Sequence, residues 1–140
     1  MKIITDLSIL RQKSKEADKK KALKLFPILE DSLDISKGCG LSAIQIGIKE
    51  KVAIIRLPNC KLDLWNPEII EKYEPFRFVG ERCLSLPGLS IDTRRYMDII
   101  LENGDGKQYI LIGIEAIAVE HEIDHINGLT ILDRKWRKKH

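Results

Sequence analysis

The segment His121-Glu122-Ile123-Asp124-His125 sets two imidazoles four residues apart, with a carboxylate directly after the first. On a helix this spacing puts both rings on one face, one turn apart, as two corners of a metal site require. Glu122 is rotated by about 100° from His121, so it can reach a water at the metal without being a ligand. That is the position a general base needs. Short patterns of this kind also arise by chance, and histidines on an apolar helix can be core residues bonded to backbone. The metal reading gains because these are two of three histidines in the chain, the third being the terminal His140.

A catalytic site of this type needs a third protein ligand and an open fourth position. The common metalloprotease arrangement places a further Glu or His downstream, but only 15 residues follow His125, and Asp133 and His140 are the candidates among them. The third ligand is therefore expected upstream. The best soft donor there is Cys83, within Glu81-Arg82-Cys83-Leu84-Ser85-Leu86-Pro87. Alone, a free cysteine reads as a small buried hydrophobe. Paired with the two histidines and an unusual turn sequence, the ligand reading is favoured, and one thiolate with two imidazoles suits several first-row metals.

The elements that must position these groups are partly legible. Ile114 to Asn127 lacks Gly and Pro, is apolar nearly all round, and is followed by Gly128 where a helix commonly stops. Ala22, Leu23, Leu25, Phe26, Leu29 and Leu33 recur at helical spacing nearer the N-terminus. Pro27 lies inside that pattern and either kinks the helix or begins it. Lys19 to Lys21 read as its solvated face. Lys37-Gly38-Cys39-Gly40 breaks the helix. Short β-rich runs follow at Val52 to Arg56, Glu68 to Lys72, Asp98 to Glu102 and Gln108 to Ile112, punctuated by Pro58, Asn59, Pro67, Pro75 and Pro87. Asn103-Gly104-Asp105-Gly106 is a hairpin signal. The expected fold class is α+β, with antiparallel sheets packed around a buried C-terminal helix carrying the histidines, and a further helix at the N-terminus.

At 140 residues, 44% hydrophobic and 32% charged, the chain is expected to form one catalytic domain over residues 1–140. The net charge of +3 is too small to argue for nucleic acid, and no DNA partner is expected. Its basic residues are uneven, with Arg134, Lys135, Arg137, Lys138 and Lys139 in the last seven positions. Residues 131–140 are expected to be a basic, frayed tail, with phosphate contacts to ribosomal RNA as the alternative. No apolar run approaches the roughly 20 residues that span a bilayer, and the start is a poor signal peptide. A cytoplasmic protein without a membrane partner is expected. Cys39, Cys60 and Cys83 are then free thiols or ligands rather than a disulfide framework.

Three segments together resemble the peptide deformylase family. Its motif GxGLAAxQxG is matched by Gly38-Cys39-Gly40-Leu41-Ser42-Ala43-Ile44-Gln45-Ile46-Gly47, and EGCLS by Glu81-Arg82-Cys83-Leu84-Ser85. QHExDHxxG is matched by Glu120-His121-Glu122-Ile123-Asp124-His125-Ile126-Asn127-Gly128. They occur in the family's order, and the likeness runs from about Leu10 to Arg134. The resemblance implies an amide hydrolase that removes the formyl group from N-formylmethionyl nascent peptides and releases formate. It implies metal ligands Cys83, His121 and His125, with Glu122 as catalytic base and acid. Gln45 and the backbone N–H of Leu84 would stabilise the oxyanion. The metal would be Fe(II) in the cell, with zinc, nickel or cobalt as other occupants. Substrate contacts would come from Gly38, Cys39, Gly40 and Glu81, and the methionine pocket from Val79, Ile114, Ile117 and Ala118.

The chain departs from the family pattern at Arg82, where Gly is usual, at Ser42 for Ala, and at Glu120 for Gln. Arg82 either strains a backbone that favours glycine or projects a cation near the cleft, and it is expected to face solvent and meet substrate. Many relatives carry a further C-terminal helix that helps dock them on the ribosome, so this chain resembles the compact forms, some of them phage-encoded. Two other readings stand beside this one. A peptidase with the same helix motif is disfavoured by Cys83 and by the lack of a well-placed downstream ligand. A ribosome-associated binding module would keep a metal that is only structural.

Overall fold

The computed structural model describes residues 2–36 and 38–137. Lys37 of the expected helix stop, and Lys138, Lys139 and His140 of the basic tail, lie outside them. Helix α1 is a single turn, Leu7–Leu10, capped by the Asp6 carboxylate, which accepts the Ser8 N–H at 2.8 Å. Helix α2, Lys19–Ser36, opens on Asp18, whose carboxylate accepts the Lys21 N–H at 2.7 Å. It starts eight residues before Pro27, so proline is interior to the helix rather than its beginning. Ala22, Leu25, Phe26, Leu29 and Leu33 are buried, whereas Leu23 and Lys19 to Lys21 face out.

Strands β1 (Gly40–Ser42), β2 (Val52–Leu57) and β3 (Cys60–Trp65) form one antiparallel sheet in that order. Strand β2 opens on the apolar run Val52 to Ile55 because both its faces are covered there. Val52 and Ile54 pack with the α2 residues, while Ala53, Ile55 and Leu57 join the other core. Strand β3 alternates apolar Cys60, Leu62 and Leu64 with polar Lys61 and Asp63, yet was not expected from the sequence. Leu57 and Cys60 pair across Pro58-Asn59, which joins it to β2 as a hairpin.

Strands β4 (Glu68–Glu81), β5 (Ile91–Glu102) and β6 (Gln108–Ile112) form a second antiparallel sheet. The expected runs cover only part of β4 and β5. Strand β4 passes through Pro75, which was expected to end it. Pro75 is tolerated because β4 is an edge strand, where a missing N–H disrupts no second ladder. The expected turn falls between β5 and β6, where Asn103 accepts the Gly106 N–H at 2.9 Å.

Helix α3, Ile114–Ile126, lies between the sheets. Its Ala116, Val119, Ile123 and Ile126 share a core with Ala53, Ile55 and Leu57 of β2, Ile99 and Leu101 of β5, and Leu111 of β6. Gly128 has φ +78 and follows the helix with an N–H bonded to the His125 carbonyl. The expected fraying does not hold for the residues that come next. Thr130 and Asp133 cap a 3-10 turn, Ile131–Arg134, and the Trp136 N–H bonds the Asp92 carbonyl at 2.9 Å. Among the described residues no helix is long and apolar enough to cross a membrane.

Candidate active site

One turn of α3 supplies His121, Glu122 and His125. The segment leaving β4 supplies Cys83, Leu84 and Ser85, and the 3-10 turn Ala43–Ile46 after β1 supplies Gln45. The Cys83 Sγ lies 3.3 Å from His125 Nε2. One ligand atom from each of Cys83, His121 and His125 falls within 4.8 Å of the others. A soft thiolate and two imidazoles converging this closely fit a single divalent ion, with three protein ligands and a position left for water or substrate.

The His121 ring is held from behind. Its Nδ1 is 2.6 Å from Glu81 Oε2, which turns Nε2 toward the other two donors. Glu81 in turn accepts from Thr93 Oγ1 at 2.6 Å, Arg95 Nε at 2.8 Å and Arg95 Nη2 at 2.6 Å. Burial raises the pKa of this carboxylate, but the bonds from His121 and Arg95 outweigh burial and hold it at about 2. Arg95, itself 2% exposed, also reaches Asp124 at 2.8 Å, and Arg134 closes on the same carboxylate. The chain of contacts runs from the terminal 3-10 turn through α3 and β5 to His121.

Glu122 is buried without an arginine of its own. Desolvation pushes its pKa up to about 7, with the charge of His121 pulling the other way. Its Oε1 has no hydrogen-bonding partner among the described residues. Gly40 is close by: a Cβ on it would lie 2.9 Å from Glu122 Oε2 and 2.9 Å from the Ile54 carbonyl oxygen. Gln45 is oriented by Ser42, whose N–H and hydroxyl donate to Oε1 at 3.0 and 3.2 Å. Its amide nitrogen is thereby aimed at Ser85 Oγ, 3.1 Å away, and at Cys83 Sγ, 3.9 Å away. Ser42, which stands where the family usually has Ala, thus adds a donor that fixes the carboxamide.

These groups lie at a cleft of about 600 Å³ lined by Gly38, Cys39, Gly40, Gln45, Leu84, Ile114, Ile117 and Ala118 among others. Two expected substrate contacts are placed otherwise. Val79 is 71% exposed and outside the lining, because the pairing of β4 with β5 shifts between Phe78 and Glu81 and changes which side chains face inward. Phe78 lines the cleft instead. Glu81 lies in the wall, but its carboxylate is taken up by Thr93, Arg95 and His121, so it orients a histidine rather than meeting substrate. Glu120 points away from the site: its Oε1 accepts the Tyr96 N–H at 2.9 Å, tying α3 to β5.

Thr93 and Arg95 were not found from the sequence. The only available signal was strand parity, which makes one of the adjacent Arg94 and Arg95 face inward, and no strand was expected there.

The family model described as polypeptide deformylase matches residues 1–140. The chain is 33% identical to the peptide deformylase of Aquifex aeolicus, the match covering 98% of this chain and 89% of that one. It is 36% identical to that of Desulforudis audaxviator, over 90% of this chain and 86% of the relative. The crystal structure of peptide deformylase from Thermotoga maritima superposes with a TM-score of 0.84 at 28% identity, covering 98% and 97% of the two chains. A probable peptide deformylase from synechococcus phage S-SSM7 does so with a TM-score of 0.83 at 35% identity, covering 96% and 99%. With its whole length matched by the family model and these relatives, the chain belongs to the peptide deformylases, metal-dependent hydrolases that remove the N-formyl group from nascent polypeptides.

Proposed function

We propose that this chain hydrolyses the formyl amide of N-formylmethionyl nascent peptides, with Cys83, His121 and His125 holding Fe(II) in the cell and accepting zinc, nickel or cobalt. The observation that carries this reading is the convergence of one thiol and two imidazoles within 4.8 Å beside the unpartnered Glu122 carboxylate, at the cleft. When bound, the metal supplies Lewis acidity, lowering the pKa of water and polarising a carbonyl.

The rest falls to the chain. Glu122, buried beside the three metal-binding side chains with a carboxylate oxygen left unpartnered, accepts a proton from the attacking water and returns it to the departing amine. The Gln45 amide, held in one orientation by Ser42, donates to the oxygen that gains charge. The Leu84 N–H, bonded to no other described residue, supplies a second donor. The free edge of β1 at Gly40 pairs with substrate backbone, and Ile114, Ile117 and Ala118 receive the methionine side chain. The reaction belongs in the cytoplasm beside the ribosome, where the basic terminus beyond Arg134 offers charge to phosphates.

The test is formate release from formyl-Met-Ala-Ser by Fe(II)-loaded protein under anaerobic conditions, with Glu122→Ala alongside. Turnover by the wild type and none by the variant is expected. A wild type that holds metal in proportion to protein yet releases no formate would leave the site as a scaffold.

A further inference from the structure

Arg82 adjoins the buried Cys83 and is itself exposed. Its φ is not in the left-handed region, so the backbone is unstrained by a side chain there and the guanidinium projects into solvent at the cleft wall. Among the described residues lining the cleft it is the one lysine or arginine. Nothing in the wall neutralises it. Glu81 is committed to Thr93, Arg95 and His121, and Glu122 is buried. The acid across the hairpin, Asp92, is held by Arg77 at 2.6 Å and by the Gly80 N–H at 3.0 Å. Arg82 thus has no hydrogen bond or ion pair to a described residue, and the rim of a largely apolar cleft carries one uncompensated positive charge.

We infer that Arg82 makes the protein selective for nascent peptides carrying Asp or Glu within the first few residues after methionine. This rests on the deformylase reading, since it needs the formyl group at Glu122 and the peptide leaving through the mouth of the cleft. A guanidinium on a long flexible stem offers paired donors to a carboxylate at several peptide positions, so the selection is by charge rather than by a single register. The pair stays partly exposed, which sets the preference at about two- to fivefold in kcat/KM.

The experiment compares kcat/KM of holoenzyme for C-terminally amidated formyl-Met-Ala-Glu, formyl-Met-Ala-Gln and formyl-Met-Ala-Lys. Wild type, Arg82→Gln and Arg82→Glu are each measured at low and high ionic strength. Ratios between peptides are taken within each protein, which removes differences in folded or metal-loaded fraction. The wild type is expected to favour Glu over Gln and Gln over Lys, with the spread shrinking as salt is raised. Arg82→Gln should level the three, and Arg82→Glu should invert the order. Equal rates on all three peptides by the wild type, or a Glu preference that survives in Arg82→Gln, would overturn the role of Arg82. Failure to turn over any of the three would instead overturn the deformylase reading beneath it.

Discussion

Gly40→Ala tests the idea that Glu122 works because one glycine leaves room for it. The added Cβ would lie 2.9 Å from Glu122 Oε2, 3.3 Å from Glu122 Cδ and 2.9 Å from the Ile54 carbonyl oxygen. Ile54 is fully buried in β2, which is paired on both sides, so its carbonyl cannot retreat. Gly40 itself must shift away from that carbonyl, and the carboxylate, whose Oε1 has no hydrogen bond to hold it in place, must give way to the Cβ. Ordinary contact begins near 3.5 Å, so Glu122 must move by roughly half an ångström or more. Misplacements of about 1 Å cost on the order of 100-fold in rate, which sets the expected loss in kcat at about 10- to 100-fold. In barrier height this is about 1.4 to 2.7 kcal/mol. The crowding should cost about 1–3 kcal/mol of stability, seen as a lower melting temperature. The three atoms nearest this Cβ belong to Glu122 and Ile54 and none to a metal-binding side chain, so metal content should be unchanged. The assay is steady-state formate release with kcat and KM resolved, beside metal analysis and a thermal melt. A folded, metal-loaded variant as fast as the wild type would refute the reasoning. A rise in KM alone would assign the position to peptide pairing instead.

Gln45→Leu should lower kcat by about 10²- to 10³-fold with little change in KM, because the one substrate atom its amide serves is the oxygen that gains charge during reaction; an equal effect on KM would point to ground-state binding. Arg95→Met leaves Glu81 and Asp124 as buried carboxylates without their shared cation, and should destabilise the fold by about 3–5 kcal/mol. The same variant should retain metal about 10- to 100-fold less tightly, measured by competition with a chelator, since Glu81 loses the two Arg95 bonds that fix it behind His121. Gly128→Ala places a Cβ 2.6 Å from the Arg11 carbonyl oxygen at φ +78 and should cost more than about 1 kcal/mol in a denaturant titration. Its kcat, corrected for folded fraction, should match the wild type.

The chemistry of α3 was legible because its three groups lie within five residues, and helical spacing alone decides that His121 and His125 share a face. The helix stop at Gly128, the core face of α2 and strand β6 followed from equally local patterns. Glu81 was singled out by its place in a motif, yet its task was misjudged. Only the folded chain shows that Arg95 and Thr93 take up its carboxylate. Val79 failed for a related reason: alternation along a strand predicts a face only while the register is unbroken, and β4 shifts against β5 just there. Pro75 misled because the tolerance of proline depends on whether a strand is an edge, a property of the sheet and not of the residue.

Arg94 and Arg95 are adjacent and chemically alike. Pairing within the sheet turns Arg95 under α3, where it is buried between Glu81 and Asp124. Sequence by itself determined which groups one helix could present. Tertiary structure decided which groups 40 residues away would meet them, because that depends on strand register, a bulge and the burial of one arginine.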